Sequence, residues 1–213
     1  MRPVRISVGP LATAGTTKVC ASQTPSGAGN MTINGSLASG GVATLDTYRR
    51  VLFTFGADES AKTFTVYGTG RDGTQSEVVT GTASTAYTVL DYLTVTQIAV
   101  SAATTAALTV GTNGVASSAW VCLDTNGPPQ ISLQVDLTGT INATVQQTLN
   151  DVWTPSTKAS DYWVNHADST LVGMTSGNVQ GNYAYVPTAT RLTLNSGTGS
   201  AVFTVVQPGP SYL

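Results

Sequence analysis

Apolar and polar positions alternate in short runs along most of the chain, with a period of two. Val4, Ile6 and Val8 interleave with Arg5 and Ser7; Val51, Phe53 and Phe55 with Leu52 and Thr54; Phe64 and Val66 with Thr65 and Tyr67. Further on, Ile131, Leu133, Val135 and Leu137 interleave with Ser132, Gln134 and Asp136, and Leu192 and Leu194 with Arg191 and Thr193. Successive side chains of a strand point to opposite faces, so each run predicts a half-buried strand. No stretch keeps a helical period over ten residues with caps. Thr140–Asp151 comes nearest, and its β-branched residues favour a strand.

Turn chemistry separates the runs every 8–12 residues, the spacing of an antiparallel sandwich. Two segments share one layout of strand, small-residue turn and strand: Leu93–Gly111 and Ala189–Gln207. Both read as β-hairpins. Val51–Tyr67 and Ile131–Leu149 form a second matching pair, so the chain builds one kind of β unit twice. Asp124–Pro129 (DTNGPP) is the best linker. The predicted architecture is all-β: two small antiparallel Ig-like β-sandwich units with an extended N-terminal arm. The arm and opening strands take residues 1–48, the first sandwich 49–124 and the second 130–213.

Composition changes the picture in one respect. Charged residues make up only 9% of the 213, against roughly 25% in an average soluble domain. Their place is taken by small polar side chains, with 36 threonines among them; threonine suits a pleated strand and keeps a surface wet without charge. The net charge of −2 carries no basic stripe, which argues against a nucleic-acid partner. No 18-residue apolar run exists and the N-terminus lacks an apolar signal core, so neither a membrane partner nor a secretory leader is expected.

Reactive chemistry is sparse. Cys20 and Cys122 sit in apolar runs and read as small buried hydrophobes, with one long-range disulfide as the alternative. The single histidine, His166, lies two residues before Asp168, a spacing that puts both on one face of a strand. A hydrogen-bonded loop histidine is the stronger reading, and no cofactor, metal site or catalytic residue is assigned. Asp58-Glu59 sits in an expected exposed turn. The glycine-rich run at 68–73 lacks the lysine and following helix of a phosphate loop. The aromatic concentration at 150–187 stands out: Trp153, Tyr162, Trp163, Tyr183 and Tyr185 are candidate interface or glycan contacts, with capping of the core as the competing reading, because aromatic rings anchor interfaces, cap cores and stack on sugars.

The runs GNMTINGSLASGGVATLDTYRRVLFTF, TFTVYGTGRDGTQSEVV, YLTVTQIAVSAATTAALTVGTNGVASSAWVCLD and QGNYAYVPTATRLTLNSGTGSAVFTVVQPG resemble a family of tailed-bacteriophage virion proteins of about this length. The resemblance spans 18–123 and 130–209 and is one of strands and turns. It implies a non-enzymatic structural protein located in the virion, as a capsid decoration or a head-to-tail, neck or tail component. Its implied partners are other virion proteins and further copies of itself, held through neutral surfaces and strand addition by the N-terminal arm. A fibre-type module that binds a receptor or glycan is the alternative.

Overall fold

The computed structural model describes Arg2–Thr125, Gln130–Val152 and Trp163–Gln207. In chain order the strands are β1 (Arg2–Val8), β2 (Gly15–Gln23), β3 (Gly29–Asn30), β4 (Ala38–Ser39), β5 (Val42–Phe55), β6 (Thr63–Gly70), β7 (Gly73–Thr80), β8 (Thr85–Tyr87) and β9 (Tyr92–Val100). They continue as β10 (Leu108–Ser117), β11 (Val121–Cys122), β12 (Ser132–Thr138), β13 (Ile141–Thr148), β14 (Val164–Asn165), β15 (Asn178–Asn182), β16 (Ala189–Gly197) and β17 (Ser200–Gln207). One turn of 3-10 helix, Ser169–Leu171, is the only helix among the described residues, so none there is long and apolar enough to cross a membrane.

The chain divides into two compact units, Thr13–Gly114 and a second built from Met1–Ala12 together with Val115–Leu213. This corrects the expected boundaries of 1–48, 49–124 and 130–213. The first unit is inserted into the second, after the second unit's opening strand. The extended arm is corrected too. β1 pairs antiparallel with β17 over seven residues, from Arg2 opposite Gln207 to Val8 opposite Ala201. The alternating Val4, Ile6 and Val8 need an apolar face, and they pack against the core of the chain's own second unit. Residues 15–23 do the same in the inserted unit, where Val19 and Cys20 are fully buried.

Each unit is a sandwich of two antiparallel sheets, as expected, and the strand order sharpens the Ig-like description. In the second unit one sheet runs β1-β17-β12-β15, and the other runs β14-β13-β16, with β11 and the last residues of β10 beside β16. In the inserted unit β2, β10, β5 and β8 are neighbours in one sheet, and β7, β6 and β9 in the other. The opening half of β5 pairs with β9 at Ala43 and Thr44; the register then breaks, and its closing half pairs with β8. In both units the first strand lies beside the last and the remaining pairs nest inside, which is the order of an eight-stranded jelly roll. The duplication expected from the sequence is therefore present strand for strand.

The four expected hairpins are not hairpins. β16 pairs with β13, while β17 pairs with β12 and β1. The pieces β12–β13 and β16–β17 are two long strands paired with each other, folded together across both sheets. Their register runs through the fold, with Thr138 opposite Ser200 and Ile141 opposite Gly197. At the corner the Thr140 carbonyl accepts from the Thr198 and Gly199 amides at 3.0 and 2.9 Å. Gly197 holds φ +98°, and a Cβ there would run into that same carbonyl.

The inserted unit makes the equivalent corner with a carboxylate. Glu59, almost fully buried, accepts from the Thr105 and Ala106 amides at 2.7 and 3.3 Å and pairs with Lys62. The Asp58-Glu59 turn is thus exposed only in part. Beneath it Phe53, Phe55 and Phe64 cluster with ring centroids 5.1–6.0 Å apart. Near the start of the inserted unit the Asn34 side chain accepts from the Ala21 amide, and the tight turn into β5 falls at Gly40-Gly41.

Two outcomes test this construction. Gly197→Ala should cost about 3 kcal/mol or more, since it combines left-handed strain with a backbone collision, whereas Gly177→Ala, at φ +81° in open space, should cost about 1 kcal/mol. Urea titration of the two variants measures the difference. Deleting residues 1–8 should destabilise only the second unit, on the order of 4 kcal/mol for three lost apolar side chains. All three tryptophans lie in 115–213, so their fluorescence reports that transition, and the tyrosine signal of the inserted unit should keep its midpoint.

Candidate functional site

The excursion between β13 and β16 carries the aromatic residues singled out above. It is anchored at both ends by β13. β14 pairs with it, Asn165 opposite Gln146 and Val164 opposite Gln147, and the Thr188 amide closes the excursion onto the Thr148 carbonyl at 2.9 Å. Between them the His166 amide donates to Val145, and Met174 bridges to Ala143. Asp168 caps the 3-10 turn, accepting from the Thr170 amide and hydroxyl at 2.9 and 2.8 Å.

The candidate residues do not form one site. Trp153 and Tyr162 lie outside the described residues. Tyr183 is a core residue, corrected from a contact candidate: it is 3% exposed, packs its ring 4.7 Å from that of His166, and donates its hydroxyl to Thr190 at 2.8 Å. Trp163 is half-buried, with the Arg191 guanidinium 4.2 Å over its ring, so one ring face is already occupied. Arg191 is fixed in turn by Gln146, whose Oε1 accepts from Arg191 Nε and NH2 and from the Thr193 hydroxyl at 2.9–3.1 Å. Tyr185 stays on the surface, 50% exposed, and its hydroxyl accepts from Gln147 Nε2.

Strand alternation separates the two surface aromatics. Val164 and Gln147 share the His166 side of β14 and β13, while Trp163 lies with Asn165 and Gln146 on the opposite face. Tyr185 belongs to the Gln147 side. There Gln147, Thr148, Leu149, Asn150, Val164 and Tyr185 line a cleft of about 310 Å³. Gln147, a residue the sequence did not single out, is 4% exposed and its Oε1 has no hydrogen-bond partner. Its polar amide, next to Gln146 in the sequence, gave no signal of burial.

His166 is built into the core, not set at a reaction centre. Its Nδ1 accepts from the Asp168 amide at 3.0 Å, which places the neutral ring's proton on Nε2. The Asp168 carboxylate is engaged by Thr170. Burial lowers the imidazole below its ordinary value of 6.5, outweighing Asp168 and the neighbouring backbone, which raise it. Among the described residues no three His, Cys, Asp or Glu side chains converge as a metal site. Cys20 and Cys122 are free thiols, each in a different unit, and burial pushes Cys20 up to about 12. Glu77, like Glu59, serves the backbone, accepting from the Val89 and Leu90 amides at 2.6 and 2.8 Å.

The lowered His166 sets a pH dependence. Below about pH 6.5 the unfolded chain takes up a proton that the folded chain refuses, so stability present at neutral pH falls on acidification. Urea midpoints of the tryptophan transition at pH 7.5 and 5.0 should show this loss, and His166→Phe should make it smaller. An unchanged acid slope in that variant would place the loss elsewhere. Comparison of the chain with protein-family models, curated proteins and solved structures found no match.

Proposed function

We propose that this chain is a non-enzymatic structural protein of a bacteriophage particle, a capsid decoration or a head-to-tail, neck or tail component. The observation that carries the proposal is the pair of jelly rolls, one inserted in the other. Jelly rolls recur in viral capsid domains, an analogy of fold and not of site. The described strands of each unit are paired within one chain, which leaves their outer faces to be offered to neighbours.

The surface supports an assembling role. In the inserted unit the exposed large apolar side chains, Tyr67, Val78, Tyr87 and Val89, all lie on β6, β7 and β8 or just after them. Tyr67 and Val78 belong to one sheet and Tyr87 and Val89 to the other sheet or the residues just after it, so both sheets offer apolar contact points, and low charge suits close packing against copies of the chain or other virion proteins. The outer edge at β1 carries Pro3 and Arg5, residues that discourage unplanned strand addition. Lys62 and Arg49 are engaged in ion pairs, and neither nucleic acid nor membrane enters the proposal.

Gradient-purified particles from an infected culture, analysed by quantitative mass spectrometry, should contain the protein at a fixed copy number matching a particle symmetry. Val78→Asp combined with Val89→Asp, both at exposed positions, should lower incorporation at least about tenfold while leaving the chain folded. Recovery of the protein only outside particles would end the proposal.

A further inference from the structure

The cleft beside Tyr185 combines an open aromatic ring with a buried, incompletely bonded polar group. Three features define what it can hold. Leu149 at 70% exposure, Val164 at 37% and the Tyr185 ring supply apolar surface on one side of the excursion. Thr148, Asn150 and Gln147 supply hydroxyl and amide groups. Among the described residues no charged side chain lines it, so these residues offer a charged ligand no counter-charge for the hydration it would lose.

Gln147 narrows the ligand further. Its Nε2 donates to the Tyr185 hydroxyl, and its Oε1 is buried without a partner. A buried amide oxygen in that state costs free energy until something donates to it. Turning the amide over exchanges oxygen and nitrogen, and one of its two ends still lacks a partner. A hydroxyl answers either orientation, because it both donates and accepts; an ammonium or a carboxylate answers only one. The matching ligand therefore carries several hydroxyls, no charge, and an apolar C–H face to set against a phenol ring.

We infer that this cleft binds a neutral sugar, with a pyranose ring lying on Tyr185 and against Val164 and one of its hydroxyls reaching the Gln147 amide. A volume of about 310 Å³ is at the lower end of the range for ligand pockets and suits one or two rings, so millimolar affinity for a single ring is expected. Trp163 takes no part, since it projects from the other face of the sheet. The inference is independent of the particle reading, because a virion protein can bear such a cleft or lack it.

Ligand-observed saturation-transfer NMR on the full chain tests it, with methyl α-D-glucopyranoside, methyl α-D-mannopyranoside, methyl β-D-galactopyranoside and methyl N-acetyl-β-D-glucosaminide as probes at millimolar concentration. At least one should show transfer, strongest at its ring C–H protons. Tyr185→Ala should weaken that binding roughly three- to tenfold, the loss of one stacked ring. Val164→Lys, at a part-exposed position, should abolish it while the circular dichroism spectrum is kept. Tyr87→Ala, in the other unit and equally exposed, should leave it unchanged. Transfer to none of the four glycosides by the folded protein overturns the inference, as does transfer that survives both Tyr185→Ala and Val164→Lys.

Discussion

A pair of strands that must fold together across two sheets governs this structure. In the second unit β12–β13 and β16–β17 run antiparallel along their whole length and bend at the same level, so both backbones have to turn where their hydrogen bonds would otherwise continue. The Thr140 carbonyl takes up two amides at the bend and Gly197 supplies a backbone that a side chain would obstruct. The inserted unit meets the same requirement with Glu59, whose buried carboxylate replaces a carbonyl as acceptor for two amides. Buried backbone donors need partners, and two sequences with little in common locally supply them by different means. The rest of each sandwich follows: sheet order, the place of the first strand beside the last, and the position of every loop.

The insertion is a consequence of that order. A jelly roll's first strand contributes an edge to a sheet whose other members come much later, so chain between it and the second strand can be lengthened without breaking any pair. Here a complete second jelly roll occupies that connection. Loop closure over such a distance adds little entropy per doubling of length, and β1 recovers the cost by pairing with β17 and packing Val4, Ile6 and Val8 into the core of the second unit. The site region reflects the same geometry. The excursion of 150–188 is the loop of the folded ribbon, tied to β13 at its base, and it delivers Tyr183 inward, Trp163 to one face and Tyr185 to the other.

Much of the strand inventory was legible in the residues. The alternation at Val51–Phe55, Ile131–Leu137 and Val202–Val206 marks which side chains are buried, and the two matched layouts mark a duplication that the topology repeats. The partners were not legible. Ser196-Gly197-Thr198-Gly199 carries the chemistry of a hairpin turn, yet the strands it joins lie in different sheets, because a tight turn and a sheet crossing draw on the same small residues. The arm was misread for a related reason: Val4, Ile6 and Val8 announce a strand, and nothing local says that its mate lies some two hundred residues on. Among the aromatics, Tyr183 and Tyr185 are two residues apart with the same side chain; one is core and the other surface, and tertiary contacts alone, Tyr183 against His166 and its hydroxyl on Thr190, separate them.

Taken by itself, the sequence determined the class of object: an all-β, weakly charged, threonine-rich chain made of one strand pattern used twice, without a helix pattern or a basic surface. These are properties of composition and of period-two alternation, which depend on neighbours one or two residues away. Tertiary structure alone decided which strand pairs with which, where one unit ends and the other begins, and that Gln147 is buried beside a surface tyrosine. Each of these rests on contacts between residues far apart in the chain, whose free energy comes from burial and hydrogen bonding across sheets, and a linear pattern carries no record of the distant partner.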